Sequence, residues 1–99
     1  MQLTFSELAR DELAEAKRYY NQQQSGLGKQ FQREAELAAK RIREHPLAWQ
    51  CEREPFRRFL LDTFPYKMLY VIEDENILVI AVSHQHRQPD YWVGRLENQ

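Results

Sequence analysis

Cysteine occurs once, at Cys51, in 99 residues. An internal disulfide is therefore excluded, and so is a metal site built from thiolates. A chain that does without disulfides is expected in a reducing compartment, here the cytoplasm. Glycine is scarce, and two of its three positions, Gly26 and Gly28, lie close together. They mark one sharp break in the chain. No apolar run approaches the ~18 residues of a membrane helix, so no membrane partner is expected. The first residues, Met1, Gln2, Leu3 and Thr4, have neither the basic start nor the apolar run of a secretory signal. An excess of charge is lacking too: 14 Lys and Arg against 15 Asp and Glu leave a formal −1. Bulk attraction to nucleic acid is thereby excluded, while a local basic patch is not.

What is present suffices for one domain, taken here as residues 1–99, with a single core and no staples. Leu3, Thr4 and Phe5 are β-prone, either an edge strand or a lead-in. Ser6 stands where a helix cap belongs, and Glu7 suits the first turn. Ala9, Leu13, Ala16 and Tyr20 fall at i, i+4, i+7 and i+11, which predicts a helix over about 6–23. Arg10, Asp11, Glu15, Lys17 and Arg18 fill its other surface. After the glycines, Leu27, Phe31, Ala35, Ala38 and Ile42 trace a second helical face, which Pro46 ends. The first half is thus a helical hairpin. Residues 47–55 read as a linker with Trp49 and Cys51 tucked beneath it.

Most of the β-forming residues lie in 57–92. Residues 56–62 predict a strand. Two apolar runs, 66–72 and 77–82, flank Glu73, Asp74, Glu75 and Asn76 and predict a β-hairpin. Asp74 and Asn76 tolerate the positive φ of a tight turn. Helices followed by strands imply an α+β fold, with the helical hairpin packed on one face of a small antiparallel sheet of three or four strands. The other face is then expected to be partly open, with a cationic and aromatic rim that receives a ligand or partner.

The polar groups of this half set the candidate chemistry. Arg57 and Arg58 alternate across a strand, so one points to each face. Either presents a fork of donors to a phosphate or carboxylate, or each ends in a surface ion pair with Glu52 or Glu54. His84 and His86 share a face if the strand reaches them. With Arg87 they suit phosphodiester cleavage, the imidazole moving a proton and the guanidinium stabilising charge. Alternatively His84 only bonds a backbone or tyrosine oxygen at the sheet end and His86 sits in solvent. A metal would need a third ligand, and only Asp90 is near; no metal and no cofactor are expected. Tyr91 and Trp92 either stack a base or anchor the C-terminal segment, and Trp92 is read as an anchor. Asp90 is expected to start a short helix that carries Arg95. Tyr19 and Tyr20 are read as packing.

In order and spacing these residues resemble the RelE/ParE toxin superfamily. The helical half carries residues 8–13 (LARDEL), Tyr19, Tyr20 and residues 26–31 (GLGKQF). The second half carries Arg57, Arg58, residues 64–66 (FPY), Tyr70, residues 80–84 (IAVSH), then Arg87, Pro89, Tyr91, Trp92 and Arg95. The resemblance covers nearly the whole chain and lies on the ParE-like, plasmid-stabilisation side. It implies the toxin of a type II toxin–antitoxin system, a growth inhibitor held inactive by a cognate antitoxin that wraps it. It also implies one of two targets. ParE-like toxins block DNA gyrase by binding. RelE-like toxins are endoribonucleases that cut mRNA on the ribosome. For the nuclease, His84, Arg87 and Tyr91 would be the catalytic set. Arg57, Arg58, Lys67, His86 and Arg95 are then candidate phosphate- or partner-binding residues. A third alternative is a relic that binds antitoxin without toxicity.

Overall fold

A computed structural model describes residues 1–96. The elements run β1 (Gln2–Phe5), α1 (Glu7–Gln23), α2 (Leu27–Glu44), β2 (Cys51–Arg53), β3 (Phe56–Leu60), β4 (Tyr66–Glu73) and β5 (Asn76–His84). A single 3₁₀ turn, Val93–Arg95, follows. Ser6 caps α1: its oxygen accepts the Ala9 N–H at 3.1 Å. At the other end of the hairpin Gly26 takes φ +89°, which favours glycine. Asn21 accepts the Gly26 N–H at 2.9 Å. Gly28 serves a different purpose. A Cβ there would stand 2.5 Å from the Lys17 carbonyl oxygen, so the two helices meet backbone to backbone.

The five strands are ordered β1-β5-β4-β3-β2. From β2 to β5 all neighbours are antiparallel. β1 adds a parallel edge, pairing from Gln2↔Asn76 to Phe5↔Val79. The sheet is therefore mixed and has five strands where three or four are expected: β1 is the edge strand that residues 3–5 allow, and β2 is the unforeseen one. β2 forms inside the stretch read as linker. Trp49 does tuck in, with its ring 4.6 Å from Phe59, but Cys51 lies exposed on the edge strand. Asp74 takes φ +55° in the β4–β5 turn, as its side chain allows.

One irregularity decides which residues face where. Leu69 pairs with Ala81 but Tyr70 with Val79, so Ile80 is an extra residue, a β-bulge. Ile80 and Ala81 consequently both serve the sheet face away from the helices. The helix-side core holds Ala9, Ala16, Phe31, Ala35, Ala38 and Ile42 against Phe59, Met68, Tyr70, Ile77, Val79 and Val82. Tyr20 joins it through rings of Phe31 and Phe64, whereas Tyr19 is exposed.

The second face is not open as expected. Phe56, Leu69, Val71, Ile80 and Ala81 are roofed by Trp92, with Tyr91, Val93 and Leu96 beside it. Trp92 is 1% exposed, its ring 4.7 Å from that of Phe56. Burying an aromatic of this size is worth about 3–5 kcal/mol. Bare apolar sheet would otherwise remain in water, so the short segment after Pro89 folds back over it.

Candidate functional site

The site begins where β1 ends. Ser6 N–H donates to the Val79 carbonyl at 2.9 Å, and the chain then turns away into α1. Beyond Val79, β5 has no strand neighbour on that side among the described residues. An open edge leaves N–H and C=O groups that burial would penalise. Three side chains take the place of a strand, the first being Ser6, whose hydroxyl donates to the Ile80 carbonyl at 3.4 Å. Glu12, on α1 and 9% exposed, accepts the Val82 N–H at 3.0 Å. Arg95 donates to the Ile80 carbonyl at 3.0 Å.

Glu12 and Arg95 also hold each other by two parallel bonds, 2.8 and 3.0 Å. This fork-to-fork geometry is the strong form of the pair. Tyr91 donates its hydroxyl to Glu12 at 2.5 Å, and Arg87 reaches the same oxygen at 3.5 Å. The Arg87 guanidinium lies 3.8 Å over the Tyr91 ring, and that of Arg95 4.9 Å from it. One carboxylate has room for about four donors. Five now converge on Glu12, so its acceptor capacity is full.

Ionisation follows this geometry. Burial, then donation to Glu12, pushes the Tyr91 phenol up to about 12. At neutral pH it is a hydrogen-bond donor and never a base. Burial acts against the charge of Arg95, but the Glu12 bonds and charge outweigh it and raise its pKa. Arg95 is a permanent, internally neutralised cation.

The candidate residues thus fall into separate groups. Arg87, Tyr91 and Arg95 do come together, on a carboxylate that the sequence reading left out. Glu12 lies three residues from Ala9 and four from Ala16, inside the stripe of α1 that faces the core. A lone charge on an apolar stripe was the available signal. Arg58 and Lys67 form a second group on the opposite sheet face. Lys67 donates to both Glu52 oxygens at 2.8 and 2.7 Å, and Arg58 to Glu52 at 3.3 Å and Gln50 at 2.8 Å. Arg57, on the helix face, is spent on the backbone carbonyls of Trp49 and Leu47, at 2.7 and 3.3 Å.

His84 ends β5, its ring 5.1 Å from that of Tyr66. Its Nδ1 accepts the His86 N–H at 3.0 Å. A neutral His84 therefore carries its proton on Nε2. His86 itself is exposed in the turn beyond the strand. His84 and Arg87 line a cleft of about 270 Å³ with Glu12, Glu15, Tyr19 and Tyr66. The cleft is mixed in charge, with the carboxylates of Glu12 and Glu15 beside the half-exposed Arg87.

A family model described as the ParE toxin of the type II toxin–antitoxin system parDE matches residues 3–89. A solved chain from the chromosomal ParDE toxin–antitoxin system of P. aeruginosa shares the fold, with a TM-score of 0.65 at 11% identity. The alignment covers 85% of this chain and 95% of that one. No curated protein matches the sequence.

Proposed function

The chain belongs to the ParE toxin family of type II toxin–antitoxin systems, and from this premise we propose that it arrests growth by binding rather than by cutting. Its target in this reading is DNA gyrase, and a cognate antitoxin neutralises it. One observation carries the choice against a ribosome-dependent nuclease: most of the cations that would stabilise a phosphate are already bonded to carboxylates inside the fold. Arg95 is bound to Glu12, and Arg58 and Lys67 to Glu52. Catalysis of phosphoryl chemistry needs such groups aimed at developing charge. Here they would first have to leave the buried Glu12 or the partly buried Glu52. Arg87 alone keeps half of its surface free, at 51% exposure.

For the antitoxin, the supporting feature is a groove of about 290 Å³ between β1 and α2. Leu3, Phe5, Leu13 and Ala39 line it together with Lys40, Arg43 and one carboxylate, Glu36. β1 beside it is an edge strand with one side unpaired. An extended arm with apolar residues and carboxylates would complete both.

The deciding experiment is induction of the protein in cells, with plasmid supercoiling and protein synthesis followed together. Relaxed plasmid should accumulate first, and translation in a cell-free extract should be untouched. Rapid loss of translation with cleaved transcripts would replace this reading by the nuclease. Unimpaired growth would leave an antitoxin-binding relic.

A further inference from the structure

We infer that the closed end of the helical hairpin is a surface for the phosphate backbone of duplex DNA. Lys17 and Arg18 near the end of α1 and Lys29 at the start of α2 enclose a cleft of about 530 Å³ with Asn21, Ser25 and Gln32. Among the described residues none of these three cations has an ion pair. Arg53, Arg58, Lys67, Arg87 and Arg95 all do; six other cations among the described residues also lack one, but these three are grouped around a single cleft.

The imbalance runs through the whole turn. Residues 17–33 hold four of the 14 Lys and Arg side chains and none of the 15 Asp and Glu. The remaining ten cations face all fifteen carboxylates. A nearly neutral protein thus carries a locally basic stretch at the hairpin tip. Such local fields steer anionic partners even where net charge is near zero. The lining adds amides and a hydroxyl to the cations, the side-chain types that contact phosphate and sugar without reading bases. It contains no aromatic or aliphatic side chain. A protein partner would need such an anchor at the centre of its interface. The choice of duplex DNA over RNA rests on the gyrase reading, since a gyrase-bound toxin stands beside the duplex that gyrase holds.

The test uses the full chain and a short fluorescent duplex, without gyrase. Three phosphate contacts predict that log K falls by about 2.7 per decade of salt, or about 40-fold between roughly 50 and 200 mM. Arg18→Glu with Lys29→Glu, one exposed residue from each helix, should weaken binding at least tenfold and flatten that slope to about 1. Arg10→Glu with Arg41→Glu makes the same change in net charge toward the far end of the helices, roughly 12 and 18 Å along α1 and α2 from the first pair. It should stay within threefold of the native chain, with circular dichroism confirming the fold of both. Three results would overturn the inference: no binding at low salt, equal losses in the two double variants, or tighter binding to single-stranded RNA. A supercoiling assay reports on gyrase separately, so failure here leaves that reading standing.

Discussion

Glu12 illustrates how much one residue can carry. An ordinary buried ion pair can often be exchanged for apolar residues with little loss, because desolvation offsets attraction. The Glu12–Arg95 pair differs, since it also satisfies the Val82 N–H and the Ile80 carbonyl. Glu12→Ala should cost about 3–5 kcal/mol in urea unfolding, leaving Arg95 buried without its partner. Glu12→Leu with Arg95→Met removes both charges but leaves the Val82 N–H unmet, at about 1–3 kcal/mol, while the Ile80 carbonyl keeps the Ser6 hydroxyl at 3.4 Å. The double variant should therefore remain about 1–3 kcal/mol below the native chain. Equal stability would show that the pair does not close the strand edge. Tyrosines give a second residue-scale prediction. Tyr70 and Tyr91 are both raised to about 12, chiefly by burial. Their contribution is complete below the unfolded value near 10 and is lost as pH rises through the folded value. The melting temperature should fall between about pH 10 and 12. Tyr91→Phe should flatten the fall, and an unchanged pH profile would contradict it. At this scale the sequence was legible where a residue acts on its neighbours, as Ser6 does on Ala9. It was not legible where Glu12 acts across some 80 positions on Tyr91 and Arg95, because spacing along one helix does not report such a partner.

Among the elements, the two helices were readable nearly to the residue, since caps, periodicity and Pro46 act locally. The central hairpin was readable for the same reason. β2 was not: three polar-flanked residues, Cys51–Arg53, carry no periodicity, and only pairing with β3 makes them a strand. β1 was ambiguous because its partner lies in β5, more than seventy residues away. The closeness of α1 and α2 tests what the local signals mean together. Gly28 faces the Lys17 carbonyl with no room for a Cβ. Gly28→Ala gains helix propensity, worth up to about 1 kcal/mol, yet forces two backbones apart. Overpacking of this kind costs about 1–3 kcal/mol. The net effect should be destabilisation, read as a lower denaturant midpoint. A rise in the midpoint would mean that the hairpin opens freely.

For the molecule as a whole, the main departure from expectation is the roof over the second sheet face. A free face was inferred because two helices can cover only one side of a sheet. The segment after Pro89 reads in sequence as a short helix carrying Arg95 with Trp92 as its anchor, but not as a cover for the sheet; Trp92 is large enough to close that gap. The stretch matching the family ends at residue 89, just before this roof. A chain ending at Asp90 should therefore fail as a folded protein, for two separable reasons. Loss of Trp92 bares Phe56, Leu69, Val71 and Ile80, at about 3–5 kcal/mol. Loss of Arg95 and Tyr91 strands the Glu12 carboxylate with only Val82 and a 3.5 Å contact to Arg87. That costs about 3–5 kcal/mol more. Together these approach the whole stability of a domain this size, about 5–15 kcal/mol. The truncated chain should bind a hydrophobic dye and unfold without a sharp transition. Trp92→Ala in the full chain should keep the Glu12 network and lose only the first contribution, giving a cooperative but earlier melt. A truncated chain that melts as sharply as the native one would show that the second face stands without its cover, and that the ion pair rather than the tryptophan sets the position of the C-terminal segment.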